Sequence, residues 1–133
     1  MPASNLPIFT LTPVVAIATI SAANTNRDGT GTIVIVSTGG TNGTRIEFVA
    51  IHATVTTTAG VIRLYVDPNT GTYHLWKEIL VTAITPSGTV AAFDTEVVRT
   101  DGLPLLVLPA SYKLAASTHN AENFRVIAHG GDY

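Results

Sequence analysis

The chain has no cysteine, which excludes a disulfide framework and any thiolate metal site. Charge is scarce too. Seven Lys/Arg and nine Asp/Glu make up 12% of its 133 residues, about half the roughly 25% of an ordinary soluble domain. A formal net charge of −2 and a pI near 6.0 exclude the basic footprint of a general nucleic-acid binder. The longest nearly uncharged run, Pro2 to Asn26, is broken by Pro7 and Pro13 and filled with Thr, Ser and Asn, so no membrane-crossing helix is expected there. No positive charge precedes the first apolar stretch, and a signal peptide is not expected either. Helical signals are missing: no window of a dozen residues combines good helix formers, a capping box and an apolar stripe.

What replaces charge is mostly Thr, Ala, Val and Ile. Surface charge normally keeps a small protein soluble and stops its sheets from pairing with foreign strands. A chain that gives it up is expected to bury much of its outside against other proteins. At 133 residues it forms one domain, able to bury roughly two-thirds of its unfolded surface.

The periodicity is two almost throughout. Arg45-Ile46-Glu47-Phe48-Val49-Ala50-Ile51-His52, Val61-Ile62-Arg63-Leu64-Tyr65-Val66 and Phe93-Asp94-Thr95-Glu96-Val97-Val98 are rich in β-branched residues and lack a 3–4 spacing. Turns separate the runs. Gly29 ends Asn26-Arg27-Asp28-Gly29 and supplies a positive φ, Asp67-Pro68-Asn69-Thr70-Gly71 closes a hairpin, and Pro86-Ser87-Gly88 and Asp101-Gly102 repeat the signal. Strands are expected near 14–23, 31–37, 44–57, 60–67, 73–83, 90–99, 104–108, 112–118 and 123–129. The fold class is therefore all-β: an antiparallel β-sandwich, jelly-roll-like, over 13–133, preceded by an extended N-terminal arm at 1–12.

Motifs for chemistry are thin. Asn24-Thr25-Asn26-Arg27-Asp28-Gly29 resembles the first half of a calcium loop, but the twelfth position is Ile35 and Arg27 would sit inside it; an Asn/Asp turn bonding its own backbone fits better. His52, His74, His119 and His129 show no metal-ligand spacing. No nucleophile elbow or phosphate-cradling glycine motif occurs. Asp94 and Glu96 share a strand face, with Arg99 near enough to balance them, which reads as a solvated face before an acid–base pair. No catalytic, cofactor-binding or metal residue is assigned, and no enzymatic activity is expected. Tyr73, His74, Trp76 and Lys77 are the only aromatic concentration. Strand alternation places Tyr73, Leu75 and Lys77 on one face and His74, Trp76 and Glu78 on the other, which weakens a sugar platform and favours Trp76 as a core or contact residue. Asn42-Gly43-Thr44 fits a glycosylation sequon and reads as a turn.

The final third is the most distinctive: Gly102-Leu103-Pro104-Leu105-Leu106-Val107-Leu108-Pro109, then Tyr112-Lys113-Leu114-Ala115-Ala116-Ser117-Thr118, then Phe124-Arg125-Val126-Ile127-Ala128-His129-Gly130-Gly131-Asp132-Tyr133. Together with Ala23-Asn24-Thr25-Asn26-Arg27-Asp28-Gly29-Thr30-Gly31 it resembles small virion proteins of tailed bacteriophages, from about residue 14 onward. The resemblance implies a jelly-roll-like head-associated or decoration subunit, made in the host bacterial cytoplasm, commonly homotrimeric, that cements a capsid of major capsid protein without nucleic acid, membrane or cofactor. A tail or fibre module binding a receptor or glycan and a tail-tube or connector component are the alternatives. Leu6, Pro7, Ile8 and Phe9 in the arm, with Trp76 and Tyr133, are the expected interface residues.

Overall fold

The structure is a computed structural model and describes residues 9–133. Nine strands and no helix occur among them: β1 (Thr12–Ile20), β2 (Val34–Thr38), β3 (Thr44–Ala53), β4 (Gly60–Asp67), β5 (His74–Val81), β6 (Asp94–Val98), β7 (Leu106–Leu108), β8 (Lys113–Thr118) and β9 (Phe124–Asp132). They form two antiparallel sheets. One has the order β1-β9-β3-β6, with β7 also pairing β3; the other is β2-β8-β4-β5. The protein is thus an all-β antiparallel sandwich.

Pairing is nested: β1 with β9, β2 with β8, β3 with β6 and β4 with β5, so the chain behaves as one long hairpin folded over on itself. Inward residues of both sheets meet in a single core. Ile20, Ile46, Val49 and Ile51 face Ile62, Leu64, Leu114 and Ala116, with Phe93 and Phe124 packed edge to face. Burying such aliphatic and aromatic groups contributes about 1.5–3 kcal/mol each before ordering costs.

The turns follow their chemistry. Gly29 takes φ 85°, and a Cβ there would come within 2.2 Å of the Tyr73 carbonyl oxygen. In the Asp67–Gly71 turn the Asp67 carboxylate accepts the backbone N–H groups of Thr70 and Gly71 at 2.9 and 3.2 Å.

Strand ends differ from the sequence expectation by three residues or more in five strands; two of these are β3, which stops at Ala53 where 57 was expected, and β6, which starts at Asp94 where 90 was expected. β1 starts at Thr12, two residues early, and stops at Ile20 where 14–23 was expected; Leu11 already donates its N–H to the Asp132 carbonyl at 2.7 Å. Residues 31–33 join a long excursion that begins after β1, so β2 starts only at Val34. β9 continues to Asp132 through two glycines that read as a terminal loop. Gly130 is glycine for a steric reason, since a Cβ would lie 1.8 Å from the Arg45 carbonyl oxygen, beside the register shift between Ile46 and Phe48.

Candidate functional site

The two sheets present contrasting outer faces. On the four-stranded sheet, Arg63 and Tyr65 of β4 and Ala115 and Ser117 of β8 point away from the core yet are buried. Their cover is the β1–β2 excursion, residues 21–33, folded back across the sheet. Asn24 anchors it: its N–H bonds the Thr118 carbonyl at 2.8 Å, and its side-chain amide donates to the carbonyls of Thr30 and Thr32 at 2.9 and 3.0 Å. The Asn24 carbonyl accepts from the Arg63 guanidinium at 3.0 Å, and the Tyr65 hydroxyl donates to the Asn26 carbonyl at 3.1 Å. The Asn/Asp-rich segment therefore spends its side chains on its own loop and on the sheet below.

Arg63 is only 1% exposed. Besides the Asn24 carbonyl it meets the Glu78 carboxylate at 3.3 Å and His119 Nδ1 at 3.2 Å. A guanidinium has no acceptor atom, so the imidazole nitrogen accepts. Glu78 is shared with the more exposed Arg27 of the excursion, whose hydrogen bond, more than the charge of Arg63, holds its carboxyl below the ordinary carboxylate value. Asp28 is likewise lowered by the hydroxyl and N–H of Thr30. This is a structural clasp, with every polar group turned onto another part of the chain.

The outer face of the five-stranded sheet has no such cover among the described residues. Register aligns residues across it in rows: Thr19, Arg125, His52 and Asp94; Ile17, Ile127, Ala50 and Glu96; Val15, His129, Phe48 and Val98. A fourth row holds Pro13, Gly131, Arg45 and Val107. The rings of Phe48 and His129 stack with centroids 4.3 Å apart. On the outermost strand Val15 and Ile17 are 60% and 62% exposed, and Leu11 just before it is 83% exposed. Val98 and Val107 are exposed on the opposite flank. Large apolar groups gathered on one side mark an interaction surface more than scattered ones do.

The expected interface residues fall in different places. Leu6, Pro7 and Ile8 lie outside the described residues. Phe9 is exposed just ahead of β1. Trp76 is partly buried against the core, with the Lys77 ammonium 5.1 Å from its ring centroid. It is the extra residue of a bulge, since Leu64 pairs Lys77 and Tyr65 pairs Leu75. The bulge corrects the strict alternation: Glu78 sits opposite Arg63, sharing the outer face with Tyr65 and its edge-on neighbour Tyr73, instead of Trp76's face. Tyr133 is half-buried and donates its N–H to the Gly43 carbonyl at 3.2 Å. Asp94 and Glu96 do share an outward face, but Arg99 pairs with Asp101 and leaves them alone.

Sequence reasoning missed the Arg63 clasp and the row structure of the open face. A signal for the first was available: Val61-Ile62-Arg63-Leu64-Tyr65-Val66 is nearly continuous in apolar character, as strands covered on both faces are. A recess of about 140 Å³ between Ile20, Val34 and Ser117 is lined by small, hydroxyl and aliphatic side chains with no titratable group, and lies well below the ~300 Å³ at which ligand pockets begin. Compared with known proteins, the chain matches no family model, no curated protein and no solved structure.

Proposed function

We propose that the chain is a non-enzymatic structural subunit of a tailed-bacteriophage virion, a capsid decoration or cement protein that assembles with copies of itself, as a homotrimer, and docks on the capsid. The observation that carries this reading is the open apolar face of the five-stranded sheet, on a protein that covers its other sheet with its own chain. The strand order adds support. With β7 set aside, the sheets β1-β9-β3-β6 and β2-β8-β4-β5 fit the nested double Greek key of a jelly roll, an architecture shared by viral capsid and lectin domains. Fold alone does not assign function; the uncovered surface and the resemblance of the 102–133 stretch to small virion proteins do the rest.

In this reading the arm ahead of β1, with Leu6, Pro7, Ile8 and Phe9, contacts the shell. Localisation of the protein by cryo-electron microscopy of the intact particle tests the assignment: density on the capsid surface upholds it, whereas placement at the tail tube or at a fibre tip replaces it with the tube or receptor-binding alternative. Deleting residues 2–10, short of the Leu11 backbone bond to β9, is expected to abolish particle binding and leave a folded oligomer. Undiminished particle binding removes the arm from the proposal.

A further inference from the structure

The two flanks of the open sheet differ in charge. At the β6 flank Asp94 and Glu96 point outward, and neither joins an ion pair among the described residues. At the β1 flank the Arg125 guanidinium reaches across to the edge strand, donating to Thr19 Oγ1 at 2.8 Å; it too has no carboxylate partner among the described residues. Arg125 and Asp94 stand in the same row of the sheet, with Glu96 one row along. Farther along the strands both flanks turn apolar: Val15 shares a row with Val98.

The strand edges point the same way. Sheet edges are normally protected by shortness, bulges or charge. β6 has five residues and two carboxylates, β2 has five residues and a bulge, and β5 has a bulge beside Lys77 and Glu78. β1 alone runs nine residues in unbroken register without a single charge.

We infer that the β1 flank of one copy packs against the β6–β7 flank of the next, with Arg125 meeting Asp94 and Glu96 and Val15 meeting Val98. The inference rests on the proposed self-assembly and names its surface. Strands of adjacent copies then run side by side with like rows aligned. Each copy uses both flanks once, so the contact is heterologous, and in the proposed homotrimer it closes into a ring. A two-fold contact of β1 with β1 inverts the rows, sets Arg125 beside the Leu11–Pro13 end and leaves the carboxylates unmatched.

Native mass spectrometry and analytical ultracentrifugation of the full chain test this, with circular dichroism checking the fold of each variant. Wild type is expected as a closed ring. Arg125→Glu is expected to weaken association about tenfold or more and shift the mass toward monomer, and adding Asp94→Arg and Glu96→Arg to the same chain is expected to restore the ring. Because the chain has no native cysteine, Val15→Cys with Val98→Cys gives a second test independent of charge: oxidation is expected to link copies into a ladder ending at the ring size, with neither single variant linking. Dimers from Val15→Cys alone overturn the inference in favour of the two-fold contact. A ring untouched by Arg125→Glu and unlinked by the cysteine pair overturns the flank assignment alone, whereas a wild type monomeric at high concentration overturns self-assembly along with it.

Discussion

The outer faces of the two sheets are built from the same alternation and end in opposite states. Over the four-stranded sheet, residues 21–33 lie across Arg63 and Tyr65 and satisfy them with backbone carbonyls. Over the five-stranded sheet nothing lies across Ile17, Ile127 and Ala50 among the described residues. One face is finished within the chain; the other stands open among the described residues, and it is the face that the proposed assembly uses. The difference also sorts the polar groups. On the covered face hydrogen bonds converge on a buried cation, while the middle of the open face carries Ile127, Ala50 and the stacked Phe48 and His129, with the Arg45–Glu47 ion pair toward one end of β3.

The sharpest way to break the contrast is to remove the buried cation. Arg63→Ala strips the clasp of its guanidinium, leaves the Asn24 carbonyl without its donor and opens a void beneath the excursion. A loss of about 3 kcal/mol is expected in urea unfolding, as for other buried charged hydrogen-bonding groups. Tyr65→Phe keeps the packing and deletes the bond to the Asn26 carbonyl together with the long one the hydroxyl accepts from Ser117 Oγ at 3.4 Å, so a loss of about 1 kcal/mol is expected in the same assay. On the open face Ile17→Thr should change the unfolding free energy of the monomer by less than about 0.5 kcal/mol, while lowering the mass observed at a concentration where wild type is assembled. A large fall in monomer stability would mean that Ile17 is already packed within its own chain.

The mildest probe is pH. The Glu78 carboxyl is held below its ordinary value of 4.5 by Arg27 and then Arg63. Its contribution is therefore fully present above about pH 4.5 and is lost as the pH falls through the depressed value. Amide exchange in residues 23–32, corrected for intrinsic rates, is expected to accelerate on acidification through that window before β4 and β8 lose protection. In Glu78→Gln this step should be absent.

Much of the architecture was legible because alternation and turn chemistry are local. Gly29 and the Asp67–Gly71 turn behave as their residue types demand, and all nine strands overlap the expected runs, with β4, β5, β7 and β8 within two residues at each end and β1, β2, β3, β6 and β9 departing by three or four at one end. What escaped is what depends on partners distant in sequence. The bulge at Trp76 is set by the register of β4 against β5, and no feature of Tyr73-His74-Leu75-Trp76-Lys77 announces it. Arg63 is held by Asn24, Glu78 and His119, residues 39, 15 and 56 positions away. The open face was legible only in outline, as a shortage of charge. Its arrangement required knowing that β1, β9, β3 and β6 lie side by side.

The pairing of β1 with β9 has a consequence in time. Ile20 finds its partner in Phe124, so β1 waits during synthesis for the last strand of the sandwich, β9. At ~5–20 residues per second that interval is roughly 5–20 s, during which an uncharged, aliphatic segment has no sheet to join. The flank that β1 forms with Arg125 does not exist until that strand docks. In the proposed assembly, self-recognition would thereby wait until synthesis of the whole sandwich is complete, the order of the strands keeping a nascent chain from joining a neighbour too early.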